Sequence, residues 1–117
     1  YYLHILYEDT LPTSPHYETI MQSVLKKLDF KSMIRVKINS YLKEDKLVEH
    51  EMHTDYSYFN NGAVFSINTC DGYTKLEDGT KIQSVANRML LFDASKPHCS
   101  TNTTNKQRRV NINFNYF

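Results

Sequence analysis

The residues at the C-terminal end of the sequence alternate strictly between polar and apolar side chains as far as Tyr116. They read Arg109-Val110-Asn111-Ile112-Asn113-Phe114-Asn115-Tyr116-Phe117. Because successive side chains of a β-strand point to opposite faces, the arginine and three asparagines share one face. Asparagine is a poor strand former, so such a row needs a reason. A half-exposed antiparallel strand is the ordinary explanation. We favour a strand whose apolar face packs on the core and whose polar face directs Arg109 into a wet cavity.

Short strand patterns fill most of the remaining chain. Residues 34–42 alternate in the same manner, and tight turns are predicted at three dipeptides that end in glycine: Asn61-Gly62, Asp71-Gly72 and Asp78-Gly79. Further strands are predicted at 1–7, 47–55, 63–70, 73–76, 81–85, 89–92 and 110–116. About eight short strands predict a mainly β fold, a double-stranded β-helix or jelly-roll. We expect residues 1–117 to form one domain.

One helix is predicted near the N-terminus. Ser14 is its expected cap, and Pro15 suits its first position. Apolar side chains then recur at helical spacing, at Ile20, Met21, Val24, Leu25 and Leu28. This stripe predicts a helix that packs on the outer face of the sheet.

Composition and charge narrow the class of protein. The formal net charge is +1, which disfavours a dedicated nucleic-acid binder. No apolar stretch approaches the roughly 20 residues that a membrane-spanning helix needs, and we expect no signal peptide. Two cysteines, Cys70 and Cys99, are typical of a reduced intracellular chain. We therefore expect a cytoplasmic monomer without a membrane partner.

A candidate metal site stands at the end of the strand predicted at 47–55. His53 and Asp55 lie two residues apart, so their side chains share a strand face. His98 follows 43 positions later, behind another predicted strand. Two histidines and one carboxylate on one side of an octahedral ion leave three positions open, the arrangement found in non-haem Fe(II) oxygenases. An isolated His-x-Asp arises readily by chance, so this interpretation depends on the residues that accompany it.

The accompanying motifs resemble a known family. They are the segments 87–93 (Asn-Arg-Met-Leu-Leu-Phe-Asp), Pro97-His98 and 109–117. In order and spacing they are similar to the prolyl-hydroxylase-like branch of the 2-oxoglutarate- and Fe(II)-dependent oxygenases, over roughly residues 34–117. The resemblance implies that Fe(II) is held by His53, Asp55 and His98, with 2-oxoglutarate as cosubstrate and O2 as oxidant. The chain would be a minimal version of that fold.

The resemblance also implies roles around the cosubstrate. Arg109 matches the basic residue that pairs with the 5-carboxylate of 2-oxoglutarate. Arg108 is the rival, although strand parity favours Arg109. Tyr41 resembles a cavity tyrosine of prolyl hydroxylases, and Asn111 and Ser66 are further candidates for cosubstrate binding. Family members often carry a tyrosine where this chain has Ser66, so the carboxylate pocket is expected to differ in detail.

The activity implied by the resemblance is hydroxylation of an unactivated C–H bond, with release of succinate and CO2. A prolyl residue in a peptide or protein is the preferred substrate, and a small molecule or alkylated nucleic acid is the alternative. Two other classes stay open: a non-catalytic jelly-roll binding module, and a cupin-like zinc or manganese protein. Cupins typically gather more histidines on their first metal-bearing strand, and His50 is one register off the inward face.

Overall fold

Nine strands in two antiparallel sheets are the main elements of the residues that the structure describes. A computed structural model describes residues 1–8 and 11–117, apart from the side chain of Met21. Within these residues one short α-helix, α1 (Tyr17–Ser23), is followed by a 3₁₀ turn at Leu25–Lys27. The strands are β1 (Tyr2–Glu8), β2 (Leu11–Pro12), β3 (Met33–Leu42), β4 (Asn61–Ser66), β5 (Tyr73–Leu76), β6 (Lys81–Gln83), β7 (Met89–Asp93), β8 (His98–Ser100) and β9 (Arg108–Tyr116).

The long C-terminal strand β9 lies inside the larger sheet. That sheet has the order β2-β1-β3-β9-β4-β7, and the smaller sheet has the order β6-β5-β8. Every strand pair is antiparallel. The mainly β jelly-roll with one helix near its N-terminus is therefore confirmed. Among the described residues, no helix has the length and apolar character that crossing a membrane requires.

The central strands β3 and β9 have one apolar face and one polar face. Their apolar face belongs to a core that also contains side chains from α1 and the 3₁₀ turn, with members Leu6, Tyr17, Val24, Leu25, Leu28, Met33, Val36, Ala63, Ile112, Phe114 and Tyr116. The polar face consists of four cross-strand pairs: Arg35–Asn115, Lys37–Asn113, Asn39–Asn111 and Tyr41–Arg109. The alternation that the last nine residues predicted is confirmed, and so is the packing of the helical stripe on the outer face of the sheet.

Helix α1 begins later than predicted. Its N-cap is His16, whose side chain makes no capping hydrogen bond, and its first residue is Tyr17 rather than Pro15. Ser14 instead accepts a hydrogen bond from the His16 backbone N–H at 3.2 Å and contacts the ring of His4 at 2.9 Å. Its hydroxyl thus closes a turn before the helix. The predicted position of Met21 in the apolar stripe lies outside the described side chains.

Gly62 and Gly72 allow close packing, whereas Gly79 allows a turn. Asp78-Gly79 forms the predicted turn between β5 and β6, with Gly79 at φ +90°. Gly62, by contrast, lies inside β4, so the predicted turn there is wrong: a Cβ at this position would come within 2.7 Å of the Phe92 ring. Gly72 lies at a bend before β5, where a Cβ would come within 2.5 Å of the Arg109 side chain.

The segment 47–55 is not the regular strand that was predicted. It lies beside β8 and pairs at only two points, Glu49 with Thr101 and His53 with His98. Glu49 and His53 are four positions apart, whereas their partners Thr101 and His98 are only three positions apart. This mismatch of one residue interrupts the ladder. Strand β8 was not predicted, because three residues are too few to show an alternating pattern.

Candidate metal centre

Three side chains that could hold a metal ion meet at the cavity between the sheets. His98 begins β8, and two backbone hydrogen bonds of 2.9 Å hold His53 beside it. Nε2 of His98 lies 3.2 Å from Oδ1 of Asp55, and Nε2 of His53 lies 3.5 Å from the same oxygen. The ligand atoms of the three residues all lie within 4.8 Å of one another. The structure thus brings together the three residues that the sequence predicted as metal ligands.

The separations suit a single divalent cation. Nitrogen and oxygen ligands bind such ions at about 2.1 Å, so two ligands at right angles lie about 3 Å apart. Both distances to Oδ1 of Asp55 are slightly longer than this value, and small side-chain rotations would close them. The donor set of two imidazoles and one carboxylate fits a divalent transition metal and leaves one side of it open.

Backbone carbonyls orient the two imidazoles. Nδ1 of His98 lies 2.9 Å from the carbonyl of Lys96, and Nδ1 of His53 lies 3.2 Å from the carbonyl of Glu51. In a neutral imidazole, an Nδ1–H that donates to a carbonyl leaves the lone pair on Nε2 for a metal, whereas an Nε2 that also donates to Asp55 carries a second proton. The His98 side chain is buried, whereas 53% of the His53 side chain is exposed. A ligand can therefore approach the cluster from the His53 side.

An asparagine of the polar row holds the carboxylate. Nδ2 of Asn115 donates to Oδ2 of Asp55 at 2.8 Å and to Oδ1 of Asn60 at 3.0 Å. Arg35 donates to Oδ1 of Asn115 at 3.1 Å, and this contact orients the amide so that its Nδ2 faces Asp55 and Asn60. Both asparagines are fully buried. The network fixes Asp55 to the centre of the large sheet and leaves its Oδ1 for the metal.

These hydrogen bonds also set the charges of the cluster. Burial by itself would raise the pKa of Asp55, but hydrogen bonds from His53, His98 and Asn115 hold the pKa of its carboxyl well below its usual range. The hydrogen bond to Asp55 raises the pKa of His53 above the ordinary histidine value, against the effect of burial. The carboxylate is therefore ionised at neutral pH, and a proton held by His53 must leave when a metal binds.

Arg109 is a buried cation that has no carboxylate within 4.0 Å among the described residues. Its guanidinium donates to the hydroxyl of Ser100, to the carbonyl of Thr101 at 3.0 Å and to the hydroxyl of Thr74 at 3.2 Å. Its Nε has no hydrogen-bond partner in the described part of the chain, and the centre of the guanidinium lies 5.4 Å from the centre of the Tyr41 ring. Burial lowers the pKa of this guanidinium. Since a buried unpaired charge is costly, the position suits an anionic ligand.

The two adjacent arginines have different surroundings. Arg108 is exposed and donates to the hydroxyl of Ser40 at 3.1 Å, whereas Arg109 points inward, as strand parity predicted. Gly72 provides the room for Arg109. A Cβ at residue 72 would lie 2.5 Å from Cδ of Arg109 and 2.5 Å from the backbone oxygen of Asn102. Any side chain there would therefore displace the arginine.

A narrow cavity separates the metal-binding side chains from the hydroxyls that contact Arg109. Its volume is about 40 Å³, and it adjoins an open groove of about 530 Å³ with which it shares Tyr1, Tyr41, His53 and Ser100. The groove is lined by Tyr1, Tyr41, His50, Glu51, Met52, His53 and Ser100. Two buried amide oxygens of the polar row, Oδ1 of Asn39 and of Asn113, have no partner among the described residues. The cavity thus presents acceptors that a ligand or water can satisfy.

The other predicted cosubstrate residues occupy different positions. Tyr41 is buried and lines the cavity, with burial raising the pKa of its phenol. Asn111 also lines the cavity and accepts a hydrogen bond from Asn39 at 3.0 Å. Ser66 is buried in register with Asn111, but it lies outside the residues that line the cavity. The structure therefore places Tyr41 and Asn111 at the cavity and Ser66 one strand beyond it.

Two residues at this site, Asn115 and Lys37, were not predicted as site residues from the sequence. Asn115 was placed on the cavity face of β9 without a role, because nothing in a single sequence connects it to Asp55, 60 residues away. Lys37 lines the cavity as well, and a signal for it was present. It lies four residues before Tyr41 on an alternating strand, so the two side chains had to share a face.

Comparison with known proteins supports the fold alone. No protein-family model matches the sequence, and a search of curated proteins gives no significant match. An oxidoreductase of the 2OG-Fe(II) oxygenase family from Burkholderia pseudomallei superposes with a TM-score of 0.67 at 15% identity, over 98% of this chain and 67% of that one. A prolyl-4-hydroxylase from Pseudomonas putida gives 0.59 at 13% identity, over 97% and 67% of the two chains.

Cupins share the architecture too. A cupin domain from Bordetella pertussis Tohama I superposes with a TM-score of 0.54 at 13% identity, over 78% of this chain and 88% of that one. At such identities a common fold does not fix a common reaction. The protein therefore has the fold that 2OG-Fe(II) oxygenases share with cupins, and this fold carries a His53, Asp55 and His98 cluster able to hold a metal ion.

Proposed function

We propose that this chain is a 2-oxoglutarate- and Fe(II)-dependent dioxygenase that hydroxylates an unactivated C–H bond. The observation that supports the proposal best is a pairing: a cluster of two histidines and one carboxylate shares its cavity with the hydroxyls that hold a buried, uncompensated Arg109. The metal cluster alone would suit many reactions. A buried guanidinium beside it suits a cosubstrate that chelates a metal at one end and ends in a carboxylate at the other.

In this proposal each polar side chain has one task. His53 and His98 bind Fe(II) through Nε2, and Asp55 binds it through Oδ1. Arg109 pairs with the 5-carboxylate of 2-oxoglutarate, which replaces the hydrogen bonds that Arg109 makes with Ser100 and Thr74. The fork of a guanidinium can meet both carboxylate oxygens at once, which fixes the orientation of the cosubstrate.

Tyr41, Asn111 and Ser66 are proposed to complete the cosubstrate pocket. Tyr41 stands between Arg109 and the groove, and its ring shields the guanidinium from solvent. Asn111 adds an amide to the cavity wall, and Ser66 supports Asn111 from the neighbouring strand. When bound together, Fe(II), 2-oxoglutarate and O2 supply the oxidising chemistry that inserts oxygen into a C–H bond and yields succinate and CO2.

A prolyl residue in a peptide or protein is the substrate class that we propose. The groove outside the cavity has an aromatic wall in which Tyr41 stacks on Tyr1 at 4.7 Å and lies 5.5 Å from the ring of His50. Aromatic walls of this kind bind the flat face of prolyl rings. Prolyl hydroxylases from Pseudomonas putida and from Paramecium bursaria Chlorella virus-1 are among the proteins with a similar fold.

The first experiment tests cosubstrate binding and turnover together. Anaerobic protein loaded with Fe(II) is titrated with 2-oxoglutarate, and the visible spectrum is followed for a metal-to-ligand charge-transfer band. The same protein loaded with Zn(II) should show no band. Exposure to air should then produce succinate from 2-oxoglutarate, and proline-rich peptides should raise the rate. A band that appears only with Fe(II) and 2-oxoglutarate together is the expected result.

Matched variants make the experiment specific. Arg109→Ala should lose the response to 2-oxoglutarate, whereas Arg108→Ala, at the exposed neighbour, should keep it. His53→Ala should lose Fe(II) binding, whereas His16→Ala, whose side chain makes no capping hydrogen bond, should keep it. Metal binding without any response to 2-oxoglutarate would instead favour a cupin-like zinc or manganese protein. Absence of both metal binding and turnover would favour a non-catalytic jelly-roll module.

A further inference from the structure

Arg35 contacts both the residue that holds Asp55 and the residue that follows it. Its Nη2 donates to Oδ1 of Asn115 at 3.1 Å, and Nδ2 of the same amide donates to Oδ2 of Asp55 at 2.8 Å. The centre of its guanidinium lies 5.2 Å from the centre of the Tyr56 ring, and Tyr56 comes directly after Asp55. Arg35 is therefore connected to a candidate metal ligand by two routes, one through hydrogen bonds and one through the chain.

A bulge in β3 places Arg35 on the polar face of the sheet. Strict alternation would put residues 33 and 35 on the same face of a strand. Met33, however, belongs to the core, and Arg35 lies on the polar face. The register shifts between them, because Met33 pairs with Tyr116 and Arg35 pairs with Asn115. Such an extra residue redirects a side chain, and here it turns the guanidinium toward the metal side of the sheet.

The charge of Arg35 has a partial counterweight in Glu8. The two residues lie opposite each other in the β1–β3 ladder, and both act on the phenol of Tyr56. Burial raises the pKa of that phenol, the guanidinium lowers it and the Glu8 carboxylate raises it. Within the described residues, however, Glu8 and Arg35 form no ion pair within 4.0 Å. Glu8 balances the charge from a distance, whereas the guanidinium makes its direct contact with a neutral amide.

The amide of Asn115 works in only one of its two orientations. In the observed one, Nδ2 donates to Oδ2 of Asp55 and to Oδ1 of Asn60, while Oδ1 faces Arg35. Turning the amide over would set its oxygen against the carboxylate and its N–H groups against the guanidinium, so that neither hydrogen bond could form. A charged donor makes a stronger hydrogen bond than a neutral one. The contact from Arg35 therefore stabilises the orientation that holds Asp55.

We propose that Arg35 is a positioning residue of the metal centre, which acts by fixing the Asn115 amide that holds Asp55 in place for a metal ion. The inference goes beyond the proposed function, because it depends on the metal centre and not on the reaction catalysed there. It applies equally to an iron oxygenase and to a cupin-like zinc protein. Zn(II) binding without any response to 2-oxoglutarate would contradict the proposed function and leave this inference intact.

Electrostatics and positioning predict opposite effects when Arg35 is removed. A guanidinium repels a nearby divalent cation, so a purely electrostatic role predicts that its loss raises metal affinity. A positioning role predicts a fall, because the freed amide no longer holds Asp55. Arg35→Met keeps most of the aliphatic stem and its packing. We expect this variant to bind Zn(II) about tenfold more weakly than the wild type, as measured by competition with a chromophoric chelator.

Substitution of a second cation on the same strand provides the matched control. Lys37→Met removes a positive charge from the same face of β3 but leaves the hydrogen bond from Arg35 to Asn115 in place. It should therefore bind Zn(II) at least as tightly as the wild type. Arg35→Lys keeps a charged donor without the guanidinium fork, so its affinity should lie between those of Arg35→Met and the wild type. If Arg35→Met does not fold, the affinity of Arg35→Lys must still fall below that of the wild type.

Two further measurements separate positioning from a general loosening of the sheet. If Arg35 acts through Asn115, the double variant Arg35→Met/Asn115→Ala should bind Zn(II) as weakly as Asn115→Ala alone, without a further loss. In the metal-free protein, hydrogen exchange of the Asn115 side-chain amide, followed by NMR, should be faster in Arg35→Met than in the wild type. Exchange of the buried Asn39 amide, which donates to Asn111, should be the same in both.

Several results would overturn the inference. Unchanged or higher Zn(II) affinity in Arg35→Met would show that the guanidinium does not support Asp55. A loss of equal size in Lys37→Met would mean that any change of charge on β3 disturbs the site. Additive losses in the double variant, or equal exchange of the Asn115 amide in Arg35→Met and the wild type, would exclude action through that amide. A wild type that binds no Zn(II) would exclude the metal centre, and this inference with it.

Discussion

Asn115 acts on the metal cluster without being a ligand, and its contribution can be measured alone. Asn115→Ala removes the N–H that holds Oδ2 of Asp55 at 2.8 Å, so the carboxylate can rotate away from the two histidines. Loss of such an outer partner typically weakens metal binding 10- to 100-fold, and we expect a loss of about that size for Zn(II). Competition with a chromophoric chelator measures it.

The matched control lies on the same face of the same strand. Asn113→Ala removes an amide whose Oδ1 has no partner among the described residues, so it should leave Zn(II) affinity close to that of the wild type. Equal losses in both variants would mean that shortening any asparagine loosens β9. The effect would then not belong to the hydrogen bond with Asp55.

Gly72 tests whether the position of Arg109 matters for the cosubstrate. Gly72→Ala would place a methyl group 2.5 Å from Cδ of Arg109 and 2.5 Å from the backbone oxygen of Asn102. Neither contact can persist at this distance, so the arginine and the backbone beside it both have to shift. We expect the affinity for 2-oxoglutarate to fall by about tenfold or more, because a bidentate pair tolerates little displacement. Calorimetric titration of Zn(II)-loaded protein measures it.

A second glycine separates this steric effect from general destabilisation. Gly79 has φ +90° and open space around its Cα, so Gly79→Ala costs about 1 kcal/mol of stability through backbone strain alone. Its affinity for 2-oxoglutarate should be unchanged. If Gly79→Ala weakened cosubstrate binding as much as Gly72→Ala, the loss would follow from lower stability and not from the position of Arg109.

At the scale of elements, the core under α1 and the 3₁₀ turn lies on the opposite side of the large sheet from the site. Leu25 is completely buried there. Leu25→Ala should lower the free energy of unfolding by about 3 kcal/mol, through lost transfer energy and the cavity left behind. Urea unfolding measures this loss, and the exposed Lys27→Ala should change stability by less than about 0.5 kcal/mol. The Zn(II) affinity of folded Leu25→Ala should equal that of the wild type. A parallel loss of metal affinity would show that the two faces of the sheet are coupled.

Elements with a strong local pattern were predictable from the sequence, and elements defined by their partners were not. The alternation of β9 fixed its faces because one residue of slip would have put asparagines into the core. The segment 47–55 was also predicted as a strand, yet its register slips against β8 between His53 and Glu49. Gly62 resembled a turn residue because packing against Phe92, which explains it, is a contact across the sheet.

The same distinction applies to the site. His53 and Asp55 are close in sequence, and their shared direction was predictable from spacing. Arg109 was distinguishable from Arg108 by strand parity alone. The hydrogen bond from Asn115 to Asp55, by contrast, joins residues that only the folded sheet brings together. Local periodicity therefore identified which side chains face the cavity, whereas the network that orients them required the structure.

At the scale of the whole molecule, the candidate metal centre joins the two sheets. His98 belongs to β8 of the small sheet, and Asp55 is tied through Asn115 to β9 of the large one. A metal that binds only the folded protein stabilises it by about 2.7 kcal/mol at 100 times its dissociation constant. For a domain of this size we expect Zn(II) to raise Tm by on the order of 10 °C, as measured by circular dichroism. Asp55→Ala should abolish the rise, and an undiminished rise in that variant would mean that zinc binds elsewhere.

The pH dependence of this stabilisation should identify His53 as a ligand. Since the pKa of His53 is raised by Asp55, the metal-free folded protein holds the proton more tightly than the unfolded chain does. The hydrogen bond between protonated His53 and Asp55 therefore stabilises the metal-free protein fully below a pH of about 6.5. This stabilisation is lost as the pH rises through the raised pKa of His53. Metal binding has the opposite dependence, because it must release the proton. Below the His53 pKa its affinity should fall about tenfold per pH unit for each proton released.

The two effects together predict a Tm difference between zinc-loaded and metal-free protein that is larger at pH 7.5 than at pH 5.5. His53→Ala should remove both the imidazole whose pKa is raised and one of the proposed metal ligands. Its smaller zinc effect should therefore depend less steeply on pH. A Tm difference that stays constant from pH 5.5 to 7.5 in the wild type would mean that zinc displaces no proton, which is incompatible with coordination by these histidines.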